Sequence, residues 1–143
     1  MDSRPSGDLP ALAVYGTLRR GEQNESFLHG ADYLGMGVIS GTMHDVPRTP
    51  YREYPYPALL PEPAGDVVVE LYRLPDAATL SRLDELEMYL PDDEPGSQYL
   101  RRVVPVRHGP VADAFVYFYV GPPEELGVRI VDGDWVTFTA TRD

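Results

Sequence analysis

Two places in this 143-residue chain combine residue types and spacing that could do chemistry. The first is Glu87, which follows Leu80, Leu83 and Leu86 at three-residue intervals. At about 100° per residue the three leucines span about 120° of a helix, and Glu87 falls between Leu80 and Leu83. Glu85 points outward by the same count, and Asp84 lies at the edge of the stripe. A carboxylate on an apolar stripe is costly to desolvate unless it is paired or has a chemical task. Desolvation also raises a carboxyl pKa toward the range useful for proton transfer. The competing reading is that the helix ends at residue 87 and the side chain reaches solvent or an arginine such as Arg101 or Arg102.

The second place is Ala13-Val14-Tyr15-Gly16-Thr17-Leu18-Arg19-Arg20-Gly21, an apolar strand that breaks at a glycine into polar backbone. Glycine lets the main chain turn sharply and approach a ligand, so successive N–H groups can converge on a carboxylate or an oxyanion. Residues 15 to 18 are therefore a candidate anion cradle. The same pattern also fits an ordinary strand-to-loop exit, because a single glycine is a weak phosphate-loop signal.

Composition excludes several other chemistries. The chain has no cysteine, so it has no thiol nucleophile, disulfide framework or thiolate zinc site. His29, His44 and His108 are far apart and show no ligand spacing, and no metal is expected. A net charge of -11 argues against a nucleic-acid partner, since phosphate binding depends on clustered Lys and Arg. The acidic surface is compatible with steering of cationic ligands, or with solubility alone. No apolar run approaches the roughly 18 residues of a spanning helix, and the opening Met-Asp-Ser-Arg-Pro-Ser-Gly-Asp lacks the apolar core of a signal peptide. A soluble cytoplasmic protein with no membrane partner is expected. No heptad or long edge pattern is present from which to read an oligomeric state.

Residues 1–10 read as a flexible tail and 11–143 as one domain, a size that buries roughly two thirds of its unfolded surface. Strands are expected at 11–15, at 33–43 with bends at Gly35, Gly37 and Gly41, at 67–72, at 99–107, at 112–120 and at 135–141. In the 112–120 strand, Phe115, Tyr117 and Tyr119 should oppose Ala114, Val116 and Phe118. Glu70 interrupts the apolar 67–72 run and needs a partner if buried. A helix from about Pro75 to Met88 has Asp76 placed as its N-cap, and a short helical segment is expected near Asn24–Leu28. Residues 45–65, dense in Pro and Tyr, read as a stiff irregular loop that either walls a pocket or packs on the surface. Asp92-Asp93-Glu94-Pro95-Gly96 reads as a solvated turn.

Taken in order, these segments resemble the γ-glutamylcyclotransferase-like family, which includes AIG2-like proteins, γ-glutamylamine cyclotransferase and the butirosin-pathway γ-glutamyl cyclotransferase. The matching residues are Tyr15 to Gly21 with Asn24, Tyr56-Pro57-Ala58-Leu59, Val67 to Tyr72, Leu83-Asp84-Glu85-Leu86-Glu87, Tyr99-Leu100-Arg101, Ala114 to Tyr117 and Gly133-Asp134-Trp135. The resemblance implies an α+β fold, a small mixed β-barrel with flanking helices. It implies that Glu87 is the catalytic acid/base, that Tyr15, Gly16, Thr17 and Leu18 hold a γ-glutamyl group, and that Tyr99 and Tyr117 line the pocket or orient the glutamate.

The implied substrate is a small γ-glutamyl amine, with a γ-glutamyl amino acid or an acylated natural product as alternatives. Its own α-amine attacks the γ-carbonyl to give 5-oxoproline and a free amine, with no cofactor. A catalytically silent small-molecule-binding module on the same fold is the alternative. The chain departs from the family pattern at Val69 and Met88, where the family usually carries glycine.

Overall fold

A computed structural model describes residues 10–16, 18–19, 28, 30–47, 56–62, 65–121 and 123–140. In chain order the elements are β1 (Ala11–Val14), β2 (Asp32–Ser40), β3 (Thr42–Val46), β4 (Tyr56–Leu60), β5 (Asp66–Arg73), α1 (Ala77–Leu86), β6 (Tyr99–Pro105), β7 (Asp113–Tyr119) and α2 (Trp135–Ala140). Five strands form a mixed sheet in the order β2-β5-β1-β7-β6, and β3 pairs with β4. β1 runs parallel to β7 and antiparallel to β5. Its four residues, all small or apolar, are all buried, as a strand with neighbours on both edges and both faces covered requires.

Alternation along β7 distributes the core between the two faces. Phe115, Tyr117 and Tyr119 pack with Leu12, Val14, Tyr72 and the α1 leucines Leu80 and Leu83. Ala114, Val116 and Phe118 pack with Ala13, Val67, Val69, Leu71 and Trp135 of α2. The period-2 expectation for this strand therefore holds residue by residue.

The sheet is not closed into a barrel, which corrects the expected architecture. The free edge of β2 meets the chain beyond β6 only at an isolated bridge between Val38 and His108. There the Val38 N–H donates to the His108 carbonyl at 2.8 Å and the Arg107 N–H to the Val38 carbonyl at 2.8 Å. Pro105 ends β6 and Pro110 follows the bridge; neither has an N–H with which to extend a ladder.

The segment expected as a terminal strand is helix α2. The β-branched Val136, Thr137 and Thr139 suggest a strand, but Asp134 Oδ1 accepts from the Val136 and Thr137 N–H groups at 3.2 and 3.4 Å and starts a helical turn. Trp135 and Phe138 then stack with ring centroids 5.8 Å apart. The expected 33–43 strand divides at Gly41 into β2 and β3, with a bulge between Tyr33 and Gly35. Within the expected irregular loop, Tyr56–Leu60 is strand β4, where Pro57 is tolerated because a two-stranded sheet leaves each strand one open edge. The Asn24–Leu28 helix, apart from Leu28, and the tail before Pro10 lie outside the described residues.

Helix α1 begins as expected. Asp76 accepts from the Thr79 N–H at 2.8 Å, and this bond holds the Asp76 carboxyl below the usual carboxylate range. The helix ends in a Schellman arrangement: the Tyr89 N–H reaches the Asp84 carbonyl at 2.9 Å and the Met88 N–H the Glu85 carbonyl at 3.1 Å. Glu87 is the C-cap, and Met88 takes the left-handed backbone at φ 56° that such an ending demands.

The turn after β1 is tied down by Arg19, whose side chain is buried. Its Nε donates to Glu70 Oε2 on β5 at 3.0 Å and its Nη1 to Asp134 Oδ1 at 2.7 Å. The Tyr72 hydroxyl donates to the other Glu70 oxygen at 3.0 Å, so the buried acid in the apolar strand has its partners. Burial pushes the Asp134 carboxyl up, but the Arg19 guanidinium and the Thr137 N–H outweigh it and hold the group below its ordinary range.

These features generate predictions for three variants. Met88→Gly should raise stability by about 0.5–1 kcal/mol, because glycine adopts the left-handed region without the Cβ penalty. Gly133→Ala should do the reverse and cost more than about 2 kcal/mol, since Gly133 sits at φ 67° and an added Cβ would overlap the Asp66 carbonyl. Denaturant midpoints for both variants check the pair. Arg19→Met strips the guanidinium from buried Glu70 and should cost about 3–5 kcal/mol. Because the folded Asp134 pKa lies below its unfolded value, its contribution is present above about pH 4 and is lost as pH falls through the folded pKa. Stability measured from pH 7 to pH 3 should show a smaller acid-dependent fall in Arg19→Met than in the parent.

Candidate active site

The C-terminal end of β1, its following turn, β4, β6, β7 and the end of α1 surround one cavity, about 350 Å³ of unfilled space counting its open mouth. β1 supplies its floor through Ala13 and Val14, and the turn adds Tyr15, Gly16 and Leu18. Glu87 enters from the end of α1, Tyr99 from β6 and Tyr117 from β7, while Tyr56 and Pro57 of β4 form the remaining wall. The site residues expected from the sequence thus meet in one place, with Thr17 outside the described residues. Among the described residues lining the cavity none is cationic.

Each wall is held by specific bonds. The Arg19 N–H donates to the Gly16 carbonyl at 2.9 Å and closes the turn after β1. Gly16 cannot carry a side chain there, because an added Cβ would overlap the ring of Pro57. The Tyr15 hydroxyl donates to the Tyr117 carbonyl at 2.5 Å and the Tyr99 hydroxyl to the Pro57 carbonyl at 2.7 Å. The Gln98 amide donates to the Tyr56 hydroxyl oxygen at 2.7 Å. The cavity is therefore a set of aromatic walls whose polar tips are fixed by the surrounding chain.

Glu87 is 8% exposed, in agreement with its place on the apolar stripe. The arginines weighed as its partners are engaged by other carboxylates: Arg101 Nη1 lies 2.7 Å from Asp84 Oδ2, and Arg102 Nη2 lies 2.9 Å from Glu94 Oε1. The Glu87 charge acts on Tyr117, though behind larger effects. Burial pushes the Tyr117 hydroxyl pKa up strongly, the hydrogen bond to Asp84 and the charges of Asp84 and Glu87 push it further, and Arg101 opposes them. The hydroxyl donates to Asp84 Oδ1 at 2.6 Å.

The Pro- and Tyr-rich 45–65 segment walls the pocket, one of its two expected roles, through Tyr56 and Pro57 of β4. Sequence reasoning gave Asp84 no site role, although it stood at the edge of the α1 stripe. The two departures from the family pattern do not line the cavity. Val69 packs on the opposite face of the sheet, and Met88 is partly exposed. Among the described residues no three His, Asp or Glu side chains gather as a metal site, and no helix is long and apolar enough to cross a membrane.

Comparison with known proteins agrees with this geometry. A Pyrococcus horikoshii protein provisionally named a gamma-glutamylcyclotransferase is 33% identical over 125 residues, covering 87% of this chain and 89% of its own length. Its crystal structure superposes with a TM-score of 0.67 over 94% of this chain and 96% of that one, at 27% identity in the structural alignment. The gamma-L-glutamyl-butirosin B gamma-glutamyl cyclotransferase of Niallia circulans is 39% identical over 82 residues, which span 57% of this chain and 47% of that enzyme. The structure of an AIG2-like protein from Mus musculus matches with a TM-score of 0.60 and 27% identity over 81% of both chains. The family model described as "Gamma-glutamyl cyclotransferase, AIG2-like" matches residues 12–137, and the chain belongs to that family of cyclotransferase enzymes.

Proposed function

We propose that this protein is a γ-glutamyl-amine cyclotransferase, with Glu87 as its general acid/base. One observation carries the reading: a buried carboxylate, Glu87, shares a small cavity with Tyr15, Gly16 and Leu18 of the turn after β1, and is the one charged side chain among its described lining residues. The substrate's α-amine nitrogen attacks its own γ-carbonyl carbon, forming the lactam C–N bond as the bond to the leaving amine breaks. Glu87 takes a proton from the attacking amine and returns it to the departing nitrogen, so the products are 5-oxoproline and a neutral amine. No enzyme nucleophile is needed, which suits a chain without cysteine.

Three physical effects supply the rate. Aromatic walls fold the glutamyl group so that amine and carbonyl meet, converting an encounter into a high effective molarity. Main-chain N–H groups of residues 16–18 hold a carboxylate or the developing oxyanion. A positioned acid/base adds about 10² to 10⁴ in rate. The butirosin-directed relative favours an acylated natural product as one form of the substrate; γ-glutamyl amino acids form the other variant. The protein would then act as a soluble cytoplasmic enzyme on a small molecule, without nucleic acid or membrane.

Incubation with a panel of γ-glutamyl amines, γ-glutamyl amino acids and an acylated aminoglycoside, read by mass spectrometry for 5-oxoproline, tests the proposal. Release should occur from at least one class, and Glu87→Gln should lower kcat/KM by about 10² to 10⁴. Equal release by parent and variant would remove Glu87 from the mechanism. Binding without release from any member would instead make the domain a silent binding module.

A further inference from the structure

The hydrogen-bond polarity of Tyr117 is fixed from behind. Its hydroxyl lies 2.6 Å from Asp84 Oδ1, and a carboxylate can only accept, so the single hydroxyl proton points at Asp84 and away from the cavity. Arg101 holds Asp84 in place: its Nη1 donates to both Asp84 oxygens, at 2.8 and 2.7 Å. Arg101 is held in turn, with its guanidinium carbon 5.4 Å from the Tyr89 ring centroid and 5.0 Å from that of Phe115. Arg101 and Tyr117 are also direct cross-strand partners on β6 and β7. Asp84 stands one helical turn before Glu87; Asp84 bonds the Tyr117 hydroxyl directly, and the Glu87 charge acts on it as well.

We propose that Asp84 is a positioning residue that turns the Tyr117 oxygen into a hydrogen-bond acceptor facing the cavity, where it receives an N–H of the substrate's α-amine. The inference rests on the γ-glutamyl reading of the site. A tyrosine that offers only lone pairs to the cavity cannot protonate the γ-carbonyl oxygen, which leaves oxyanion stabilisation to the backbone turn. With its proton on Asp84, the hydroxyl does not donate to Glu87 either. Other polar groups around the cavity come from every packed element: Tyr15 from the turn after β1, Tyr56 from β4, Tyr99 from β6 and Asp84 behind Tyr117. Of these, Tyr15 and Tyr99 direct their own hydroxyl protons to main-chain carbonyls.

Asp84→Asn reverses the arrangement. Arg101 still donates to the amide carbonyl, so the amide N–H₂ faces Tyr117 and donates to its oxygen, and the hydroxyl proton swings toward Glu87. Two readouts follow, one without substrate. In the substrate-free protein, the Glu87 titration midpoint, followed by ¹³C carboxyl NMR, should fall by about one pH unit in Asp84→Asn, because a new hydrogen bond favours the charged carboxylate. It should fall clearly less in the double variant, where only the Asp84 charge is lost, and not at all in Tyr117→Phe or in Asp84→Glu, which keeps both charge and acceptor.

With a γ-glutamyl amine, Asp84→Asn and Tyr117→Phe should each lower kcat/KM by about 10- to 100-fold, the worth of a hydrogen bond to a charged group. The double variant should fall no more than about twofold below Tyr117→Phe alone, since Asp84 acts only through Tyr117. A Glu87 midpoint unmoved by Asp84→Asn, an equal shift in Asp84→Glu, or multiplying losses in the double variant would each overturn the proposal. Failure of the parent protein to release 5-oxoproline would strike the cyclotransferase reading instead, leaving the substrate-free titration to judge the Asp84–Tyr117 link by itself.

Discussion

The buried Arg19 side chain is the contact on which the arrangement of the site depends. It joins three parts of the chain that are distant in sequence: the turn after β1, the apolar strand β5 through Glu70, and the start of α2 through Asp134. Ion pairs in such places rarely add much net stability, because desolvation offsets most of the attraction. What they add is geometry. With its side chain fixed at both ends and its N–H closing onto Gly16, Arg19 leaves the turn little freedom, and that turn is one wall of the cavity. A backbone that is to act as an anion donor must be held in place before the ligand arrives, and a buried guanidinium with two carboxylate partners does this.

The second requirement is to bring a carboxylate to that turn without surrounding it with water. Helix α1 meets it by ending at the right residue. Its leucines bury one stripe against the sheet, its Schellman ending stops the helix at Glu87, and the chain then leaves through Met88 in a strained conformation. The strain at Met88 sits immediately beside Glu87. Around the carboxylate the cavity offers Tyr15, Tyr99 and Tyr117, whose hydroxyls donate to protein acceptors. On the proposed reading the chemistry is proton transfer by Glu87, the one charged side chain among the described lining residues, with negative charge stabilised by main-chain donors. It is the division of labour that an intramolecular amide cleavage needs.

Much of this was legible along the chain wherever a local rule governs the outcome. The Asp76 cap, the leucine stripe and the place of Glu87 follow from helix geometry alone, and the two faces of β7 follow from strand alternation. The resemblance to a family then joined Glu87 to the Tyr15–Leu18 turn, two features that separately had ordinary explanations. Legibility failed where a distant contact overruled a local preference. Val136, Thr137 and Thr139 have strand propensities, yet Asp134, itself held by Arg19, caps a helix there. Tyr56–Leu60 looked irregular because proline masks a strand, and only its pairing with β3 reveals one. The barrel did not close because the bridge at Val38 and His108 has prolines on either side of it. The partners of Arg19 and of Tyr117 lie 51, 115 and 33 residues away, beyond the reach of any periodicity.

The central claim is that the turn after β1 and Glu87 act on the same γ-glutamyl group. A crystal structure with 5-oxoproline bound tests it most directly. The account predicts the product in the cavity between Tyr99 and Tyr117, with one of its oxygens accepting from the N–H groups of residues 16–18 and its lactam N–H donating to Glu87. A product bound elsewhere, or seated in the cavity with its ring nitrogen turned away from Glu87, would contradict it.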